Sequence, residues 1–201
     1  MKSNICQIEK GEANLRAILK ETDKVAVYNE LKPKSALRLR LLSEELLGML
    51  SGLFKNFEGL FWIETEGLRY ELHVSLKADK MSSELRDDLV AVSKNKKNAA
   101  AVGITGKIRS IVDSMILYTD DYDQYAASYD YFDYYVEPHL VMDRGYSYAW
   151  SLERYRTQVN EKENTEAWDE LEKSIIANLA DDVLVGVKGK QVDIVIKKTF
   201  S

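Results

Sequence analysis

Glycines and bases in one stretch of the chain have types and spacing that suit phosphate chemistry. Residues 101–108 approximate a phosphate-binding loop, but alanine stands at the first glycine position and isoleucine at the final serine or threonine position. Gly103 and Gly106 open a predicted helix, and free backbone N–H groups beside Lys107 would suit an anion. The composition favours a solvated connection between two helices, with a site for an anion or an acidic partner as the alternative.

Paired carboxylates are the second candidate for chemistry. Asp87 and Asp88 are adjacent, as are Asp181 and Asp182, and adjacent residues point to different sides of a helix or strand. Neither pair therefore converges for acid–base work, and solvated or capping roles are predicted. Two histidines and one cysteine give no cluster for zinc, so no metal site is predicted.

A tyrosine-rich, acidic segment is the third candidate. Residues 118–148 hold nine of the twelve tyrosines, and seven acids against one arginine. Tyrosine offers amphipathic contact area and is enriched in interfaces, so a binding surface is predicted. Some of these tyrosines recur at helical spacing, so packing of their rings on a sheet is an equal alternative to a binding surface. The candidate interface residues are Tyr122, Tyr125, Tyr129, Tyr131, Tyr134 and Tyr135.

The bulk composition excludes several classes of protein. The net charge is −5, of which residues 118–148 carry 1 − 7 = −6, so the other residues sum to +1 and lack the basic face that nucleic-acid binding needs. The longest apolar stretch, residues 46–54, is well short of the roughly 18 residues that span a bilayer. The chain starts without a secretion signal, and Cys6 alone allows no internal disulfide. We expect one cytoplasmic domain with no nucleic-acid or membrane partner.

Hydrophobic periodicity predicts helices in the first quarter of the chain. Residues 12–31 are loosely helical, Pro33 closes that segment, and Ser35 is the candidate N-cap of the next helix. That helix runs to about Phe54 with one buried stripe. The stripe consists of Leu39, Leu42, Leu46, Met49, Leu50 and Leu53.

The rest of the chain reads as hairpins with helices grouped between them. Residues 60–65 and 68–76 form a predicted hairpin around a tight turn, with His73 on the solvent-facing side. Helices are predicted at 83–93, 104–117 and 166–179, a strand at 146–159 and a last hairpin at 183–196. This order favours an α/β fold of the α+β type, a two-layer sandwich whose mixed, mostly antiparallel sheet has helices on one face.

Two stretches resemble the GHKL, or Bergerat-fold, ATPases, and within them the anti-sigma-factor serine kinases. Residues 175–183, Gly189 and residues 192–198 are similar to the last helix and closing hairpin of that family. Residues 41–48 are similar to its N-box helix. The resemblance implies a single GHKL-like domain over residues 1–201, with a Tyr/Asp-rich insertion at about 81–164 in place of the ATP lid and phosphate loops.

The same resemblance implies roles for single residues. Glu44 takes the place of the glutamate that activates water or a hydroxyl, and Gly48 takes the place of the magnesium-binding asparagine. Asp79 stands where an adenine-binding aspartate is expected. Gly103, Gly106 and Lys107 would then contact the phosphates. Gly48, however, has no side chain to hold a cation, and no glycine-rich loop precedes the last helix.

Glycines inside the N-box-like helix support a degenerate site independently of the family. Gly48 and Gly52 lie on the Glu44 face, and each costs about 1 kcal/mol relative to alanine within a helix. Close packing of another backbone is the favoured explanation, and a ligand is the alternative.

Three functions remain open at the level of sequence. The favoured one is a regulatory or protein-binding module that binds another protein or itself, with no cofactor and no ATP hydrolysis. The alternative is an ATP-binding serine kinase with Glu44 as base, which would need ATP and magnesium. The third is a small-molecule or peptide sensor whose apolar cavity is lined by Tyr146, Tyr148 and Trp150.

Overall fold

The structure is a computed structural model with a mixed α/β fold. It describes residues 1–9, 12–54, 56–78, 104, 106, 108, 112, 141–142, 146–161, 165–188 and 191–201. The strands are β1 Cys6–Glu9, β2 Phe57–Glu66, β3 Arg69–Ala78, β4 Val141–Met142, β5 Tyr146–Ser151, β6 Asp182–Lys188 and β7 Gln191–Thr199. The helices are α1 Glu12–Tyr28, α2 Pro33–Leu53, α3 Leu152–Glu161, α4 Thr165–Lys173 and α5 Ile175–Leu179. Ile104, Gly106, Ile108 and Val112 are also helical.

The strands form one sheet in the order β1-β2-β3-β7-β6-β5-β4. Each neighbouring pair is antiparallel, and the two-residue β4 is the shortest member. The predicted mixed α/β class with a mostly antiparallel sheet is therefore confirmed. Residues 146–161, which the sequence prediction placed in the insertion, contribute β5 and α3, and Trp150 and Leu152 belong to the main core.

The predicted hairpin is confirmed as β2 and β3. Glu66 pairs with Arg69, so Gly67 and Leu68 alone form the loop. Gly67 has φ +58°, whereas Leu68 is not among the described non-glycine residues with positive φ. Positive φ at the first loop position alone is typical of a type II′ turn, which strongly favours glycine there.

Gly59 allows β2 and β3 to approach each other closely. A Cβ built on Gly59 would lie 2.5 Å from the Ser75 carbonyl oxygen and 2.7 Å from Leu76 Cβ. Since β-carbons do not pack at such distances, the hairpin in its present form requires glycine at this position.

The helical hairpin of α1 and α2 packs its apolar stripe into the main core. Every member of the predicted stripe of α2 is buried, and Leu42, Leu46 and Leu50 are 0% exposed. The buried hydroxyls of Thr22 and Ser43 lie 3.0 Å apart and join the two helices by a hydrogen bond. The main hydrophobic core is one cluster that includes residues of both helices and of β2, β3, β6 and β7.

The predicted N-cap of α2 is wrong by three residues. The N-cap is Lys32, without a side-chain cap bond, and Pro33 occupies the first turn. Proline suits that position because its missing N–H would have no intrahelical acceptor and its φ is already helical. Ser35 is buried inside the helix instead of capping it.

The predicted strand 146–159 is also wrong, because β5 ends at Ser151 and α3 follows at once. Asp182 Oδ1 accepts hydrogen bonds from the Ser151 hydroxyl and the Glu153 N–H, each at 3.0 Å. A carboxylate from β6 thus caps the first turn of α3. Asp181 accepts the Thr199 N–H at 2.6 Å and pairs with Lys198, so the expected capping and surface roles of both aspartates are confirmed.

The predicted last helix, 166–179, is interrupted at Ser174. The Ser174 hydroxyl accepts the Ala177 N–H at 3.2 Å and starts α5 as a separate helix. Trp168 and Ile175, predicted to share the buried face, are 42% and 44% exposed. Ser174 has an extended backbone, so the helical register restarts after it and a single helical stripe no longer describes these residues. The predicted hairpin at 183–196 is confirmed as β6 and β7.

Candidate functional site

Glu44 lies on the solvent side of α2 and is held by a cation of its own helix. Its side chain is 40% exposed, and its Oε1 lies 3.3 Å from Arg40 Nε. Arg40 also binds the Asp23 carboxylate of α1 through its Nη1. The predicted general base is therefore one end of a surface network that links the two helices.

Gly48, one turn after Glu44, faces open space. It is exposed, and a Cβ built on it has none of the described atoms within 4 Å. The close packing of another backbone predicted for this face is therefore not found at Gly48. Gly52 on the same helix is exposed as well.

The other predicted site residues are only partly described. Gly106 is helical and buried, between the buried residues Ile104 and Ile108. Trp150, predicted to line a sensor cavity, is buried in the main core, with its ring 6.0 Å from that of Tyr155. The predicted residues outside the described part of the chain are Asp79, Gly103, Lys107, Tyr122, Tyr125, Tyr129, Tyr131, Tyr134 and Tyr135.

A polar cluster that the sequence did not reveal lies on the sheet face opposite the main core. We call it the Trp62 cluster, and its centre is a pair of stacked rings on β2 and β3. Trp62 and His73 are register partners, with ring centroids 4.9 Å apart and an interplanar angle of 2°. His73 lies on the face away from the buried residues of β3, as predicted, but its side chain is only 16% exposed. The members of the cluster are Lys2, Trp62, Glu64, Glu71 and His73.

Two carboxylates flank the histidine of the Trp62 cluster. His73 Nε2 lies 3.4 Å from Glu71 Oε2 and 4.0 Å from Glu64 Oε2. The atom is fully buried and has no hydrogen-bond partner in the described part of the chain. Glu64 Oε1 accepts the Trp62 indole N–H at 2.8 Å, so the rings and carboxylates fix one another in place.

The pKa of each carboxyl in the cluster lies below its ordinary value. For Glu64, burial acts to raise the pKa, but the Trp62 N–H, the Lys2 ammonium and His73 together outweigh it. For Glu71, the neighbouring His73 ring lowers the pKa most, burial opposes it, and Lys197 lowers it further. Both groups are therefore carboxylates at neutral pH, and the cluster presents negative charge.

Lys2 completes the cluster from the start of the chain. Its Nζ lies 3.2 Å from Glu64 Oε1 and 4.5 Å from the centroid of the Trp62 ring. An aromatic face and a carboxylate that converge on an ammonium are a recognised means of binding a cation. Beside the ion pair is an open cleft of ≈ 490 Å³. It is lined by Met1, Lys2, Glu64, Thr65, Glu66, Arg69 and Glu71.

The arrangement is suited to recognition of a cation. Among the described residues, no group of three or more His, Cys, Asp or Glu side chains is placed to hold a metal ion. His73 Nε2 is shielded from solvent, whereas a general base must reach the proton that it removes. The groups that hold Lys2 are the Trp62 face and the Glu64 carboxylate, whose side chain is 34% exposed.

Part of the Trp62 cluster could have been predicted from the sequence. Once Glu66 and Arg69 are placed across a two-residue turn, counting back along both strands pairs Glu64 with Glu71 and Trp62 with His73. The contribution of Lys2 has no such local signal, because it joins β2 from far earlier in the chain.

Comparison with protein-family models, curated proteins and solved structures gave no match. Among the described helices, none is long and apolar enough to cross a membrane. The function is therefore inferred from the geometry of the chain itself.

Proposed function

We propose that this chain is a regulatory protein-binding module on a degenerate GHKL-like, two-layer fold, and that it does not hydrolyse ATP. The observation that carries the proposal is the state of the N-box-like helix. Arg40 engages Glu44, and the position one turn later is an exposed glycine.

Each half of that observation opposes phosphoryl transfer. A base must be free to accept a proton from the attacking group, and the Glu44 carboxylate is already engaged by the Arg40 guanidinium at 3.3 Å. Magnesium needs oxygen ligands, and Gly48 offers no side chain. Because catalysis of phosphoryl transfer is mainly positioning and charge stabilisation by the metal, loss of its ligand removes most of the rate enhancement.

Exposed apolar side chains on the helical hairpin support a protein partner. Val27 and Tyr28 at the end of α1 are 77% and 75% exposed, and Leu37 in the second turn of α2 is 57% exposed. The connection between α1 and α2 is short, so all three lie at the same end of the hairpin. Large apolar residues grouped on a surface are typical of interaction sites. The tyrosines of residues 118–135 remain the second proposed surface.

A thermal-shift titration with Mg-ATP tests the proposal. A ligand at a hundred times its Kd stabilises by about 2.7 kcal/mol, which corresponds to roughly 5–11 °C for a chain of this size. We expect no shift in the wild type. A clear shift that is lost in Asp79→Asn would overturn the proposal in favour of an ATP-binding kinase.

A pull-down completes the test of the binding half. The wild type is compared with Tyr28→Ser/Leu37→Ser, and Lys20→Ser on the exposed side of α1 serves as the matched control. Loss of the same partner in the double variant alone supports the helical hairpin as the surface. Retention of every partner by the double variant would rule out that surface.

A further inference from the structure

The first three residues dock on β2 as a short strand separate from β1. The Thr65 N–H donates to the Met1 carbonyl at 2.7 Å, the Ser3 N–H donates to the Ile63 carbonyl at 2.8 Å, and Lys2 forms a bridge with Glu64. We call residues 1–3 the strap.

A change of register divides the strap from β1. Lys2 faces Glu64 while Cys6 faces Phe61, so four steps along one strand oppose three along the other. The extra residue is a bulge. At the bulge, Asn4 turns away and bonds Glu21 of α1 through its N–H at 3.1 Å and its side-chain amide at 2.9 Å. The anchor at Glu21 can therefore hold β1 in place while the strap leaves.

Two further hydrogen bonds hold the strap: the Met1 ammonium donates to the Thr65 carbonyl, and the Ile63 N–H donates to the Ser3 hydroxyl at 2.9 Å. These contacts are polar, and the strap buries little of its side chains. The side chain of Lys2 is 45% exposed and Met1 is 47% exposed. Segments with few buried apolar contacts open locally at low free-energy cost. Opening would free the backbone edge of β2 at Ile63 and Thr65, together with the Trp62 face.

The charge around that edge selects the occupant. Apart from Lys2, the charged side chains that line the cleft are Glu64, Glu66 and Glu71 against Arg69. An acidic cleft beside an aromatic face favours a basic side chain. An open strand edge favours an extended backbone, since main-chain hydrogen bonds then supply affinity and side-chain pockets supply specificity.

We propose that the edge of β2 and the Trp62 cluster bind an extended, lysine-bearing segment of a partner protein, and that the strap occupies this site in cis. The lysine of the partner takes the place of Lys2 over Trp62 and beside Glu64, and the strap competes with it. This inference rests on the proposed protein-binding role and names the chemistry of the partner.

The test uses the full chain with Lys2→Ala and fluorescently labelled peptides that carry the sequence of residues 1–5. One peptide has lysine at its second position, and the matched peptide has the neutral isostere norleucine. We expect the lysine peptide to bind Lys2→Ala about five- to tenfold more tightly than the norleucine peptide, from one cation–π contact and one ion pair. The wild type should bind it more weakly than Lys2→Ala, because the strap competes.

Variants locate the preference. Glu64→Gln and Trp62→Leu, each added to Lys2→Ala, should reduce the discrimination between the peptides, because each removes one of the two contacts. Trp62→Phe should reduce it less than Trp62→Leu. Far-UV circular dichroism and the urea midpoint establish that each variant is folded. Lys20→Ala, an exposed lysine of α1, should leave the competition unchanged.

Three results would overturn the inference. They are equal affinity of Lys2→Ala for both peptides, discrimination that neither Glu64→Gln nor Trp62→Leu reduces, and a wild-type dimer that the lysine peptide dissociates. The last result would assign the site to a second copy of the chain. None of them depends on Mg-ATP, so failure here is separable from failure of the proposal that ATP is not hydrolysed.

Discussion

Replacing Gly59 with alanine places a methyl group against the neighbouring strand. The new carbon would lie 2.5 Å from the Ser75 carbonyl oxygen and 2.8 Å from Leu76 Cα. Both contacts are with backbone atoms of β3, which cannot rotate away as the end of a long side chain does. The two strands must separate locally, and the register at this point is weakened.

The magnitude follows from two opposed effects. Overpacking of this kind destabilises the fold by about 1–3 kcal/mol. Alanine has less conformational freedom than glycine in the unfolded chain, which offsets roughly 0.5–1 kcal/mol of that loss. The net destabilisation is up to about 2.5 kcal/mol, a fall in Tm of up to roughly 10 °C for a domain of this length.

Gly48→Ala is the matched control, because the same substitution meets open space on an exposed helix. It should stabilise by about 1 kcal/mol and raise Tm by roughly 2–4 °C. Urea unfolding followed by far-UV circular dichroism measures both variants. If Gly59→Ala proved as stable as Gly48→Ala, the close approach of β2 and β3 would be refuted.

Three further changes test the structure. Asp182→Ala should destabilise by about 1–2 kcal/mol through loss of the cap on α3, measured by urea unfolding, and Asp182→Asn should recover part of that loss. Burial acts to raise the pKa of Asp181, but Lys198 and a backbone N–H outweigh it and lower the pKa. Its contribution to stability is therefore present above the unfolded value of about 3.9 and lost as pH falls through the lower folded value. Urea midpoints between pH 2 and 5 should vary less with pH in Asp181→Asn, and an unchanged slope would contradict this account. Ser43→Ala and Thr22→Val should each cost about 0.5–1.5 kcal/mol, and the double variant should cost less than their sum, which a double-mutant cycle measures.

The elements that sequence predicted best are those whose signals are local. The stripe of α2 repeats every three or four residues, and the turn at Gly67 is marked by glycine between two alternating strands. Each pattern depends on the residues of the element itself and not on distant parts of the chain, so the predicted and observed elements agree closely.

The elements that sequence missed depend on partners distant in the chain. The change from β5 to α3 at Ser151 relies on the carboxylate of Asp182, which comes from a later strand. His73 reads as solvated because it alternates with apolar neighbours, yet the ring of Trp62 covers it. In both cases tertiary contacts decide a choice that local pattern leaves open.

The candidate sites differ for the same reason. Glu44 could be found from a motif, but its ion pair with Arg40 decides what it can do. That contact depends on the rotamers and the exposure of the two side chains, which the motif does not specify. The strand pairing that brings Trp62 and His73 together can be recovered by counting residues back from the hairpin turn. The contribution of Lys2 cannot be recovered in this way.

The central position of β7 has a consequence for synthesis on the ribosome. Residues 191–199 insert between β3 and β6, so the middle of the sheet closes only after they have emerged. Until then the hairpin of residues 57–78 has one unpaired edge, which is an aggregation hazard for a nascent chain. Closure joins residues far apart in sequence, a topology that slows folding. A truncation before residue 191 would leave two open edges and should yield an aggregating product.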